Sequence, residues 1–176
     1  MATIANKEIG KLRIISLGGV DEIGKNMTVF EYEDDIIIVD CGSVFPKEDM
    51  LGVDLVIPDV SYLISRKDHI RGYLFTHGHE DHIGGTPYIL KQIPAPIYGT
   101  KLTMALVDLK LKEYRVDGIP MHVVRPREVI QLGQFTCLST AKNASCEMLT
   151  LPNFFIFFLP SFCFSRSFRL RVISPP

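Results

Sequence analysis

The sequence predicts an α/β fold, the N-terminal half of a layered αββα sandwich, followed by a divergent, poorly structured tail. Three observations carry that expectation. Short runs rich in β-branched residues alternate with helical stretches from Lys11 to about Gly133. One run, Ile36-Ile37-Ile38-Val39, is apolar at every position, which fits a strand covered on both faces. Finally, three histidines and two acids crowd into His77-Gly78-His79-Glu80-Asp81-His82, directly behind the strand-like Gly72-Tyr73-Leu74-Phe75-Thr76. With 176 residues the chain is long enough for one domain with its own core.

Taken in order, Lys11 to Leu17 reads as a strand ended by Gly18-Gly19, and Asn26 to Tyr32 as a second. Asp34-Asp35 is the turn into the third, Ile36 to Val39. Asp40 follows at the C-terminal end of that strand, where open α/β sheets place their chemistry. Phe45 to Leu55, with Pro46 and several charges, is a surface loop. Asp59 caps a short helix over Val60 to Ile64. His69, between charged neighbours, is an exposed helix-end residue. Thr86-Pro87 opens another helix, with Thr86 as N-cap and Pro87 at the first helical position. The positive end of that helix would then lie beside the histidine loop and favour an anion there. Ile97-Tyr98-Gly99 is a short strand. Thr100 caps the clearest helix, Lys101 to about Tyr114, with Leu102, Leu106 and Leu109 as its apolar face. Met121 to Val124 and Val129 to Leu132 are further strands, and His122 in the first of them reads as structural.

Imidazole nitrogens and carboxylate oxygens are the ligand types that suit zinc and similar divalent ions. The spacing sets His77 and His79 on one side of an extended turn, while Asp81 and His82 face a second point close by. Two ligand pairs from one loop suggest two metals sharing a site, an arrangement that activates water and steadies a phosphoryl displacement. The alternative, a solvated polar turn, sits poorly with a chain that has five histidines and puts three of them here.

The pattern His77-x-His79-x-Asp81-His82 resembles the metallo-β-lactamase superfamily motif. Three further stretches resemble the opening of the ribonuclease J family, the bacterial β-CASP branch of these metal-dependent nucleases. They are Leu17-Gly18-Gly19-Val20-Asp21-Glu22-Ile23-Gly24-Lys25-Asn26, Ile38-Val39-Asp40-Cys41-Gly42 and Gly52-Val53-Asp54-Leu55-Val56-Ile57-Pro58-Asp59. The likeness spans about residues 10–136 and divides the chain into an N-terminal extension (1–9), the N-terminal part of a metallo-β-lactamase domain (10–136) and a tail (137–176). The resemblance implies a zinc-dependent ribonuclease, with manganese or magnesium as alternative ions, that trims RNA from a 5′ monophosphate end and also cuts internally. It implies His77 and His79 for one metal, Asp81 and His82 for the other, a catalytic part for Asp81, and Asp40 as the carboxylate that orients the metal loop. It also implies a later histidine and a metal-bridging aspartate, but no histidine follows His122 and no aspartate follows Asp117. The expectation is therefore a truncated, impaired chain, without the family's dimer or tetramer. An inactive metal-binding fragment and another hydrolase of the same fold are the competing readings, since fold and metal site do not fix substrate.

Composition narrows the setting. The net charge of −1 gives no overall basic footprint for nucleic acid. Residues 137–176 carry four Lys/Arg and one acid, against 15 Lys/Arg and 19 acids before them. Seven of the eleven phenylalanines fall in that tail, which shows neither helical nor strand period. Its apolar run, Leu149 to Phe164, is shorter than the roughly 20 residues of a membrane span and holds two prolines, so no membrane partner is expected. The tail reads as foreign to the family, as a frameshift or gene truncation would leave it. The four cysteines are scattered without a Cys-x-x-Cys pair, and Cys41 reads as a small buried residue. Residues 1–8 lack the basic-then-apolar design of a signal peptide, so the expected location is the cytoplasm.

Overall fold

The computed structural model describes residues 11–139 and the backbone of two later strands, Met148–Leu151 and Phe154–Phe157. Six strands form the main sheet in chain order: β1 (Leu12–Gly18), β2 (Met27–Tyr32), β3 (Asp35–Val39), β4 (Ile70–Leu74), β5 (Ile97–Gly99) and β6 (Met121–Val123). The first three run antiparallel, and β3 to β6 run parallel. Parallel neighbours need crossovers. These carry the helices α1 (Ser61–Ile64), α2 (Glu80–Ile83), α3 (Thr86–Gln92) and α4 (Lys101–Glu113). The second sheet holds β7 (Val129–Leu132), β8 (Phe135–Leu138), β9 (Met148–Leu151) and β10 (Phe154–Phe157) as an antiparallel meander.

The alternation along β3 explains the layering. Ile36 and Ile38 join Met27, Val29, Tyr73, Phe75 and Ile97 in a core covered by Ile89 and Leu90 of α3 and Met104, Val107 and Leu111 of α4. Ile37 and Val39 point the other way and, with Phe30, Tyr32 and Leu74, meet Leu132, Phe135 and Cys137 of the second sheet. The fully apolar run is thus a strand buried on both faces, as its composition implies. The result is helices, sheet and sheet in three successive layers, a partial α/β sandwich.

Two buried carboxylates hold the layers in register. Asp35 accepts a hydrogen bond from the Gln134 backbone N–H at 2.6 Å and pairs with Arg71 Nε, which ties the β7–β8 turn to the main sheet. Glu31, 4% exposed, pairs with Arg13 at 3.1 Å and Arg66 at 2.8 Å and accepts the Tyr62 hydroxyl, which holds the α1 region against β2.

Several local expectations are corrected. The turn before β3 is Glu33-Asp34, with Glu33 at φ 54°, and Asp35 belongs to the strand. Thr86 does not cap α3: Gly85 holds the N-cap position, and Thr86 lies inside the helix, buried, its Oγ1 without a hydrogen-bond partner. The Gly85 N–H that begins this helix donates to Cys41 O at 2.8 Å, so it is not open to a ligand. Asp59 does not hold the N-cap position of α1, which is Val60; from one residue earlier its Oδ1 accepts the Ser61 N–H at 2.9 Å and hydroxyl at 2.6 Å. The face of α4 is reversed. Leu102 and Leu109 are 66% and 64% exposed, while Met104, Val107 and Leu111 turn into the core. His122 is exposed on the edge strand β6 and stacks on Tyr98, with ring centroids 4.7 Å apart, rather than sitting among apolar neighbours. His69 ends a 3₁₀ turn, its Nδ1 2.9 Å from Asp34 O. Beyond residue 139, β9 and β10 extend the second sheet where the sequence carries no period. The rest of the expected tail and the extension 1–9 lie outside the described residues.

No helix among the described residues is long and apolar enough to cross a membrane. The phase of α4 gives a direct test. Met104→Ala should cost about 2–4 kcal/mol in urea unfolding, and Leu109→Ala less than about 0.5 kcal/mol. The reverse order would restore the leucine face as the buried one.

Candidate metal centre

β3 and β4 run parallel, so their C-terminal ends open on the same edge of the sheet. Asp40 leaves β3 there, with its N–H donated to Leu74 O of the neighbouring strand at 2.9 Å. Its backbone is left-handed, φ 62°, a conformation that costs a non-glycine residue about 1–2 kcal/mol. The turn aims its buried carboxylate across the end of β4. Oδ1 accepts the Thr76 N–H at 2.8 Å, and Oδ2 accepts the Thr76 hydroxyl at 2.8 Å and His82 Nδ1 at 2.7 Å.

These contacts assign the protons on two imidazoles. A carboxylate only accepts, so His82 carries a proton on Nδ1, and its neutral ring then leaves Nε2 with a lone pair. The single Thr76 hydroxyl proton goes to Asp40, so the 2.9 Å contact between Thr76 Oγ1 and His77 requires the proton on His77 Nδ1. His77 Nε2 is then the bare nitrogen, and it faces His79 Nδ1 at 3.2 Å. One carboxylate therefore orients His82 directly and His77 through Thr76.

The loop that carries these side chains is stitched down by its backbone. Asn26 N donates to Asp81 O at 3.0 Å, Cys41 N to His82 O at 2.8 Å and Ser43 N to Glu80 O at 3.2 Å. The approach at Gly42 is so close that a Cβ there would lie 1.8 Å from Asp81 O and 2.5 Å from Asn26 N. Glycine is required at that position because the obstacles are backbone atoms that cannot swing away. On the far side, Lys110 of α4 pairs with Glu80 at 2.7 Å, and Leu106 covers Gly78.

The predicted residues fall into two pairs. His77 and His79 face one another, and Asp81 Oδ2 lies 3.5 Å from His82 Nε2. The pairs adjoin, with the His77 and His82 ring centroids 4.0 Å apart. Among the described residues no three His, Cys, Asp or Glu side chains converge on a point suited to one metal ion. Sequence reasoning gave no role to Asn26, Thr76 or Lys110. Thr76 stands beside the motif and could have been read as its first orienting group, whereas Asn26 and Lys110 meet the loop only through the fold.

The histidines differ electrostatically. Burial pushes the His77 pKa below its ordinary value, with the neighbouring His82 adding to the effect. Burial also pulls on His82, but its hydrogen bond to Asp40 and the charges of Asp40 and Asp81 outweigh it, and the net shift is upward. Buried Cys41 has its thiol pushed up by desolvation and by Asp40, which makes it an inert packing residue.

With the geometry in place, comparison with known proteins is informative. The metallo-beta-lactamase superfamily model matches residues 20–137, and the chain belongs to that superfamily. Its N-terminal portion is similar to ribonuclease J of Synechocystis sp., 46% identical over 140 residues, 78% of this chain and 22% of that protein. It is similar also to ribonuclease J2 of Bacillus subtilis, 53% identical over 108 residues, 61% of this chain and 20% of that protein. The chain therefore spans about a fifth of the length of these curated relatives. Among solved structures it is similar in fold to the MIM-2 metallo-beta-lactamase, with TM-score 0.50, 15% identity, 75% of this chain and 53% of that chain. The expected resemblance to ribonuclease J, confined to the N-terminal portion, stands.

The upward shift of His82 predicts a pH-dependent stability of the metal-free chain. A histidine whose folded pKa exceeds its unfolded value contributes stability that is full below the unfolded pKa, about 6.5, and is lost as pH rises through the folded one. In the presence of a chelator, His82→Gln should cost more stability at about pH 5.5 than at about pH 8.5. A penalty that grows with pH would contradict the assigned Asp40–His82 interaction.

Proposed function

We propose that this chain is the N-terminal portion of a metal-dependent ribonuclease, with His77, His79, Asp81 and His82 as the residues that hold the ions. The observation that carries the reading is the pair geometry at the strand ends. Two ligands about 2.0–2.1 Å from one tetrahedral ion lie about 3.3 Å apart. His77 Nε2 and His79 Nδ1 are separated by 3.2 Å, and His82 Nε2 and Asp81 Oδ2 by 3.5 Å. The donor set, imidazole with carboxylate, fits zinc and accommodates manganese better than magnesium. Asp40 acts on this reading as the orienting carboxylate, fixing which nitrogen of His82, and through Thr76 of His77, is bare.

When bound, paired divalent ions activate water for attack on a phosphodiester and take up charge developing on the phosphate. The protein's share is to keep Nε2 of both histidines unprotonated and aimed outward, and to hold the Asp81 carboxylate beside the second pair. The substrate we assign is RNA, by the likeness to ribonucleases J, with 5′ exonucleolytic and internal cleavage both open to the site and the cytoplasm as its setting. A second reading, a fragment that binds metal without turnover, has its own observation: each point offers two described ligands where a catalytic zinc takes three and a water. We propose that the 176-residue chain alone is impaired for this reason.

Elemental analysis of the purified chain, beside cleavage of a 5′-monophosphorylated RNA, tests both readings. Zinc should be retained by the wild-type chain and lost in the His77→Ala, His79→Ala double variant. Equal zinc in the two proteins would remove these residues as ligands. Cleavage that the double variant abolishes would establish the nuclease reading, and retained zinc without cleavage would establish the second.

A further inference from the structure

The second ligand pair already has an occupant. Asn26, at the start of β2, sends its side-chain amide between Asp81 and His82. Nδ2 lies 3.0 Å from Asp81 O, 3.2 Å from Asp81 Oδ2 and 3.3 Å from His82 Nε2. In the neutral ring, whose Nδ1 donates to Asp40, Nε2 accepts, and the amide hydrogens of Asn26 are the donors it faces. Three electron-rich atoms thus surround one NH₂ group with two protons. They include both atoms proposed above as ligands of the second ion.

We infer that Asn26 is a positioning residue that fills the second point in the metal-free chain, its amide standing where a cation would draw the same donors. The inference rests on the metal reading of the pair. Among the described residues no third group plays this part at the first point, where bare His77 Nε2 faces His79 Nδ1, the donor being one of the two ligands itself. The two points are therefore unequal. An ion arriving between His77 and His79 displaces only a contact between two imidazoles. An ion arriving between Asp81 and His82 must first break the hydrogen bonds of Asn26 and move its amide aside. The second point loads later and more weakly than the donor types alone dictate.

The side chain is separable from the fold. The Asn26 backbone N–H donates to Asp81 O at 3.0 Å, and its carbonyl accepts the Gly42 N–H at 2.9 Å. Both bonds survive replacement of the side chain. Asn26→Ala clears the point. Asn26→Asp, of the same shape, replaces the competing donor with a third ligand, a carboxylate oxygen.

The test is a zinc titration of the isotope-labelled full chain followed by NMR, with the His79 ring reporting the first point and the His82 ring the second. Asn26→Ala should lower the half-saturating zinc concentration at His82 by about tenfold, the equilibrium weight of one such hydrogen bond, and leave His79 unchanged. Asn26→Asp should lower it further. In the wild-type chain the Asn26 side-chain amide signals should move in step with His82, not with His79. Equal zinc dependence at His82 in all three proteins overturns the inference while leaving the metal reading intact. If neither ring responds to millimolar zinc in any of them, the metal reading falls and the inference falls with it.

Discussion

The structure around the site depends on a single buried carboxylate. Asp40 adopts a left-handed backbone that a non-glycine residue avoids, and only an environment that over-determines it can hold it there. The return is a carboxylate with donors on both sides. It receives the Thr76 backbone and hydroxyl and the His82 ring, three donors from a segment 36 to 42 residues away. Each such charge-assisted bond is worth about 1.5–3 kcal/mol when no water competes for it, more than the backbone cost. Without that carboxylate, Thr76 and both histidines lose the contacts that decide their proton positions.

The neighbouring loop cannot support itself. α2 is one helical turn, too short for intrinsic helix stability, and its N-cap position at His79 has no side-chain cap. Its geometry is borrowed from the exit of β3 and the start of β2, through the backbone bonds of Asn26, Cys41 and Ser43 to Asp81, His82 and Glu80. These contacts join segments far apart in sequence, so the two proposed ligand pairs exist only once β2, β3 and β4 have paired. Site formation and sheet formation are one event.

How much of this was legible beforehand follows from the range of the interactions. Strand β3 could be read because burial on both faces leaves an unbroken apolar run, and the histidine loop stood out as the candidate site because the four proposed ligands fall within six residues. Helix α4 could be placed but not oriented. Leu102, Leu106 and Leu109 recur at helical spacing, and so do Met104, Val107 and Leu111; periodicity finds both stripes and does not say which one meets the sheet. Thr86-Pro87 carried a capping pattern, yet the close approach of Gly85 to Cys41 moved the helix start one residue earlier and buried the threonine. Asn26 sits in the glycine-rich opening with nothing local to mark it. Its partners Asp81 and His82 are 55 and 56 residues away, brought to it by strand pairing.

The two pairs differ in kind: Asp40 touches one of them directly and reaches the other only through Thr76. His79 is exposed, and with His77 it forms a pair of neutral donors that solvent reaches. His82 is largely covered and lies between Asp40 on one nitrogen and Asp81 and Asn26 at the other. Holding the buried Asp40 and the half-buried Asp81 so near one another is unfavourable unless positive or donor groups lie between them. The His82 ring and the Asn26 amide are those groups, and the hydrogen bond to Asp40 with the charges of Asp40 and Asp81 is the reason burial fails to depress the His82 pKa as it depresses that of His77. The acidic pair thus carries an electrostatic demand for a cation that the fold meets internally, with a proton on one ring and an amide beside it.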